Sequence, residues 1–274
     1  MNRNNAIGMF MGLAIGDALG GPLEFTEPNT GSPVRDMIGG GVHNLAIAET
    51  TDDTAMAMAI ADAYLTYKRF APGIIAQNFK QWRNRGTFGT RDHCFDIGTT
   101  TAEALSASSN KRPYGGSCAL MTDGNGGIMR MAPHILFNHN NKTMAIAESV
   151  AGGLITHGTG KCVVYSAALA EELFDGARYG NKTLFDKGIK EESGTVMGCY
   201  ASAWQSVAAT SSFEDALIHA INKGGDADTV GAVTGMIAGR TYGYDSIPQR
   251  WLDKLVDHDK LLATATMLYN MGDK

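Results

Sequence analysis

Two stretches set paired acids beside threonines at the head of a small, apolar run: Thr51-Asp52-Asp53-Thr54 before "AMAMAIADAY", and Asp226-Ala227-Asp228-Thr229 before "VGAVTGMIAG". Asp and Thr cap helix N-termini well, and an acid in the first turn gains about 0.3–1 kcal/mol from the helix dipole. One acid per start is enough for that. Two acids at each of two starts, beside helices whose later turns read as buried, place four carboxylates where they are too costly to leave unpaired. Convergence of the two starts would therefore require a counter-charge. The hard cations Mg²⁺, Mn²⁺ and Ca²⁺ fit, because they take carboxylate, hydroxyl and water oxygens, and four acids with threonine hydroxyls could hold two of them. Residue types and order leave two readings open: a binuclear cation site, or two separately capped helices.

Other chemistries are missing. The seven histidines form no HExxH or comparable pair. There is no GxSxG, and "HGTGKC" lacks the first glycine and the Ser/Thr of a phosphate-binding P-loop. Cys94, Cys118, Cys162 and Cys199 are scattered without zinc spacing and read as reduced thiols.

The elements that must carry the acids read as helices. "AIADAYLTYKRF", "NKTMAIAESVAGGL", "VVYSAALAEELF", "SFEDALIHAIN" and "DKLLATATMLYNM" are helical in pattern, and alternating strand-like runs of useful length are missing, which predicts an all-α single domain over residues 1–274. The acidic starts are expected to precede helices from about Ala55 to Tyr67 and from near Val230. Gly8, Gly12, Gly16 and Gly20 recur every fourth residue, as do Gly231, Gly235, Gly239 and Gly243. That spacing lines one helix face. Each interior glycine costs about 1 kcal/mol against alanine, so such a stripe implies close backbone approach. Helix packing is the leading reading, with ligand approach at Gly20 and Gly21 the alternative.

The chain has 274 residues, 44% hydrophobic and 19% charged, with a net charge of −5 and no Lys/Arg cluster, so nucleic-acid binding is not expected. "MNRNNAIGMFMGLAIGDALGG" imitates a signal peptide, but Asp17 and the glycines argue against one. Its apolar stretch reads as shorter than the ~18 residues of a membrane span. A cytoplasmic monomer with no membrane association is the expectation. The methionines, Met9, Met11, Met56 and Met58 among them, read as core filler.

Taken in order, "GMFMGLAIGDALGGPLEF", "TDDTAMA", "DIGTTT", "GNGGIMR", "THGTGKCVVYSAALA" and "GGDADTVGAVTGMIAG" cover nearly the whole chain and resemble the ADP-ribosylglycohydrolase family, which includes bacterial enzymes that remove ADP-ribose from an arginine of dinitrogenase reductase. The resemblance implies a compact all-α fold with two Mg²⁺ or Mn²⁺ ions at its centre. By motif position, Thr51, Asp52, Asp53, Asp226, Asp228 and Thr229 would be metal ligands, with Asp53 also at the catalytic centre. Glu24 matches a glutamate on a mobile loop near the metals; its bland alternative is a surface carboxylate. Asp96 matches an aspartate at the metal site, against a simple N-cap for the following helix. Asp123, Gly124, Asn125, Gly126 and Gly127 match the loop that binds ADP-ribose, where a glycine-rich turn into a helix would cradle the diphosphate. His157 matches a histidine near the substrate. Thr195 stands where bacterial relatives often carry an aromatic, so a stacking contact there is not expected of this chain.

The implied reaction is metal-dependent hydrolysis of ADP-ribosyl-arginine, with oxocarbenium-like charge developing at C1 of the distal ribose. Two metals would hold the ribose hydroxyls and a water, and Glu24 or Asp96 would take the water's proton. The alternatives are hydrolysis of an O-linked ADP-ribose, as in ADP-ribosyl-serine or O-acetyl-ADP-ribose, a non-catalytic ADP-ribose-binding protein, and a metal-dependent phosphohydrolase.

Overall fold

The computed structural model describes residues 1–109, 111–119, 121–176 and 193–272. The chain folds into helices α1 (Arg3–Gly20), α2 (Asp52–Tyr67), α3 (Pro72–Arg85), α4 (Thr99–Ala107), α5 (Ala132–Phe137), α6 (Lys142–Leu154), α7 (Gly160–Asp175), α8 (Val196–Ala208), α9 (Phe213–Ile221), α10 (Ala227–Tyr242), α11 (Gln249–Leu252) and α12 (His258–Gly272). Among the described residues only isolated β-bridges occur, so the architecture is all-α.

α1 and α10 are the axis of the molecule. From Ala6 to Gly20 every residue of α1 is buried, as is every residue of α10 from Ala227 to Gly239, so neither helix has a polar face. They run antiparallel in register. A Cβ on Gly12, Gly16 or Gly20 would run into the backbone carbonyl of Gly235, Gly231 or Ala227, and one on Gly8 would lie 2.5 Å from Gly239 O. The glycine stripes are thus the two halves of one helix–helix contact. Gly20 faces Ala227 and Gly21 faces Leu45 and Thr51, so close packing explains both and the ligand-approach reading falls. Gly243 lies past the end of α10 as its cap, at φ +86°, where an L-residue would be strained.

The segment Arg3–Leu23 is long and apolar enough to cross a membrane, contrary to the shorter reading of the sequence; 94% of its most apolar window is buried inside the fold. Its apolarity is accounted for by packing against α10 and α12. α2 packs against α3, α5 and α12, α8 and α9 flank α10, and α6 and α7 pair beside them. Met9, Met11, Met56 and Met58 are buried in the core, and the four cysteines are unpaired.

Candidate active site

Antiparallel pairing of α1 with α10 brings the C-terminal end of one to the N-terminal end of the other. Asp17, in the last turn of α1, is fully buried there. Its Oδ1 accepts from Thr51 N at 2.9 Å and Thr51 Oγ1 at 2.8 Å, and its Oδ2 from Thr54 N at 3.0 Å and Thr54 Oγ1 at 2.5 Å. Asp17 therefore caps α2 from another helix. Thr51, at the N-cap position, makes no capping bond of its own, and neither does Asp226 at the start of α10. The local capping reading of the two motifs fails on that geometry. Both helices also begin earlier than their apolar pattern suggested, which places Asp52, Asp53, Asp228 and Thr229 inside first turns.

The two starts meet reciprocally. Thr51 Oγ1 lies 3.3 Å from Asp228 Oδ2, and Thr229 Oγ1 lies 3.5 Å from Asp53 Oδ2. Gly224 and Gly225, at φ +67° and +64°, form the turn that delivers Asp226. Asp226 Oδ2 accepts from Asn125 Nδ2 at 2.7 Å, and its backbone N–H donates to Ser193 Oγ at 2.9 Å.

Glu24 follows a short 3₁₀ turn and is buried, not a surface carboxylate. Its segment is pinned to the acidic turn by Phe25 N to Gly225 O at 2.6 Å and Gly225 N to Thr26 O at 2.9 Å. Glu24 Oε2 is 2.9 Å from His43 Nε2, and the same nitrogen is 3.6 Å from Asp96 Oδ2. Asp96 does not cap α4, whose N-cap is Gly98. Sequence reasoning missed Asp17 and His43: the first reads as a lone acid in an apolar helix, the second as an isolated loop histidine.

These residues open onto a cavity of about 390 Å³ lined by Glu24, Asp52, Asp96, Asp226, Asp228 and Thr229 on one side of its chemistry and by Gly124, Asn125, Gly126, His157 and Gly194 on the other. The 123–127 stretch is not a turn leading directly into a helix; it passes through further turns to residue 130 before α5. It is anchored to the start of α8 by Asn125 N to Gly194 O at 3.2 Å and Val196 N to Asp123 O at 2.8 Å. Among the described residues Gly126 and Gly127 donate to no backbone carbonyl. Asp123 and Gly127 do not line the cavity: Asp123 pairs with Lys161 at 2.8 Å, and Gly127 packs on Gly153. Thr51 and Asp53 do not line it either; both are buried. Thr195 caps α8, accepting from Gly198 N at 3.0 Å.

The electrostatics ask for cations. Burial, then Asp96, Asp226 and Asp17, pushes Glu24 up to about 8. Burial and the surrounding acids hold Asp52, Asp53 and Asp228 well above the usual carboxylate range; Asp96 is raised chiefly by burial, with His43 opposing. Asp53 Oδ1 is buried with no hydrogen-bond partner. An orphaned carboxylate oxygen among like charges is expensive without a counter-ion. Oxygens of Asp52, Asp96 and Asp228 lie within 4.8 Å of one another, as do those of Glu24, Asp226 and Asp228. Two all-oxygen triads sharing Asp228 fit hard divalent cations.

Residues 2–190 and 177–274 match the sequence model of the ADP-ribosylglycohydrolase family. The chain is 33% identical to ADP-ribosylarginine hydrolase Tri1 of Serratia proteamaculans, over 98% of this chain and 80% of that one. It is 29% identical to the ADP-ribosyl-[dinitrogen reductase] glycohydrolase of Rhodospirillum rubrum, over 92% and 90%. A solved structure described as an ADP-ribosylglycohydrolase-related protein complex superposes with a TM-score of 0.85 at 31% identity, covering 98% of both chains.

Proposed function

Because this chain belongs to the ADP-ribosylglycohydrolase family and is a glycosidase-type hydrolase, we propose that it removes ADP-ribose from modified arginine side chains with two Mg²⁺ or Mn²⁺ ions. The observation that carries the metal requirement is the reciprocal meeting of the two acidic starts around the orphaned Asp53 Oδ1. The arginine linkage is supported by likeness to hydrolases named for that substrate.

Thr51, Asp52, Asp53, Asp226, Asp228 and Thr229 would hold the ions together with Glu24 and Asp96, whose oxygens complete the two triads that share Asp228. When bound, the ions supply fixed positive charge for the ribose hydroxyls and lower the pKa of a water. The chain's own contribution is position and proton handling. Gly124, Asn125 and Gly126 seat the ADP-ribose side of the substrate, so that C1 of the distal ribose faces the acids. Glu24, oriented by its hydrogen-bond contact with His43, takes the proton of the attacking water and returns it to the arginine nitrogen as the C1–N bond breaks. Asp96 stands by to steady positive charge on the sugar.

The test is release of free ADP-ribose from matched ADP-ribosyl-arginine and ADP-ribosyl-serine peptides, each with Mg²⁺, with Mn²⁺ and after chelation. Metal-dependent release from the arginine peptide alone is expected. Release from the serine peptide alone would move the reading to an O-linked substrate. Tight ADP-ribose binding without release from either would make the protein a binder, and release of phosphate would make it a phosphohydrolase.

A further inference from the structure

Behind the glycine loop lies a buried cation that the proposed reaction does not use. Arg130 is 1% exposed, with its guanidinium 4.7 Å from the centroid of the Phe79 ring. Its Nη1 is 3.3 Å from Met56 Sδ, and its Nη2 donates to Thr156 Oγ1. Thr156 is fully buried, and its Oγ1 lies 2.7 Å from Nδ1 of His157.

The proton count in this chain has one solution. A guanidinium only donates, so Thr156 Oγ1 accepts from Arg130. The hydroxyl carries one proton, and His157 Nδ1 is the acceptor within reach. Were Nδ1 protonated, Thr156 would accept from both sides and its own proton would be stranded in a buried site. Nδ1 therefore accepts, and the ring proton sits on Nε2. Burial and the Arg130 charge also push His157 down to about 3, which keeps the ring neutral. Nε2 lies under the glycine loop: a Cβ on either Gly124 or Gly126 would be 3.2 Å from it, and all three residues line the cavity.

We infer that Arg130 and Thr156 are positioning residues that fix His157 as a neutral Nε2–H donor, aimed at a ligand oxygen seated on the Gly124–Gly126 loop. The identity of that oxygen as one of ADP-ribose rests on the proposed function; the tautomer does not. Side chains at Gly124 or Gly126 would occupy the approach to this N–H, which gives both glycines a reason beyond turn geometry.

The tautomer is read by ¹⁵N NMR of the histidine rings, with His157 assigned from the signals lost in His157→Gln. Protonated Nε2 and bare Nδ1, unchanged between about pH 5 and 8 while free histidines titrate, is the expected result. An Nδ1–H ring, or an imidazolium in that range, would overturn the inference. Thr156→Val keeps the volume while removing the hydroxyl, so the fold should survive where an Arg130 variant could fail. It should release the tautomer and weaken ADP-ribose binding about tenfold, leaving the Mn²⁺ affinity unchanged, and Thr156→Ser should restore binding. Equal ADP-ribose affinity in wild type and Thr156→Val would remove the donor role. A wild-type protein that binds no ADP-ribose overturns the functional reading, a failure separate from either of these.

Discussion

At the scale of single residues, the site trades stability for chemistry. Asp53 is buried among like charges with one oxygen unpaired, so the cation-free protein carries an uncompensated cost there. Asp53→Asn should raise the melting temperature of the chelated protein while abolishing the stabilisation that Mn²⁺ gives wild type; thermal unfolding with and without the ion measures both. Asp17→Asn should do the opposite. It turns one of two carboxylate oxygens, each accepting from a backbone amide and a hydroxyl, into a donor, and should destabilise by about 2–3 kcal/mol in urea. The pH dependence follows from Glu24, raised from 4.5 to about 8. A carboxyl whose folded pKa lies above its unfolded one favours the fold when protonated. Its contribution is complete below about 4.5 and is lost as pH climbs through about 8. Asp17, raised to about 6, has the same sign. The chelated protein should therefore lose stability across that window, and saturating Mn²⁺ should flatten or reverse the slope, because the ion replaces protons on the acids. The doubled acids were legible in the sequence because they stand in one motif. Asp17 was not, because its work is done on residues 34 and 37 positions away.

Among the elements, the α1–α10 pair decides the geometry of the site. Its glycines let two backbones touch, and the touching sets the register that carries Asp17 to α2, Asp228 to Thr51 and Thr229 to Asp53. A methyl on Gly12 or Gly235 would overlap the partner's carbonyl backbone, which has no flexible end to move aside. Gly12→Ala and Gly235→Ala should each cost about 1–3 kcal/mol or more in urea unfolding. The metal affinity of the folded fraction should fall too, although neither residue touches the cavity. The fourfold spacing of these glycines was readable as close packing, and so were the main helices. The N-terminal starts of α2 and α10 were misplaced by about a turn, because the apolar pattern starts only after the acids, whereas the helix starts with them; the end of α2 at Tyr67 was read correctly. The cap that permits this comes from outside the α2 segment. The glycine loop was misread as opening directly into a helix; its order comes from pairing with residues 194–196, a contact no local pattern announces.

For the molecule as a whole, the all-α class and the family were legible because several motifs recur in order along nearly the whole chain. What the sequence left open was whether the acidic starts converge. That depends on a helix pair whose two halves are about two hundred residues apart, and only the assembled fold brings them together. The same fold explains why a segment as apolar as a membrane span occupies the centre of the molecule. If the acids are a cation site and the neighbouring loop an ADP-ribose seat, the two should be coupled. ADP-ribose should then raise the melting temperature clearly in the presence of Mn²⁺ and hardly at all after chelation. The most direct test of the central claim is calorimetric titration of Mn²⁺ into chelated protein, alongside Asp228→Asn. Two equivalents bound per chain by wild type, with proton release, and loss of saturable binding in the variant are predicted. Wild-type protein that binds no Mn²⁺ or Mg²⁺ at millimolar concentration, or a variant that binds both equivalents unchanged, would contradict it.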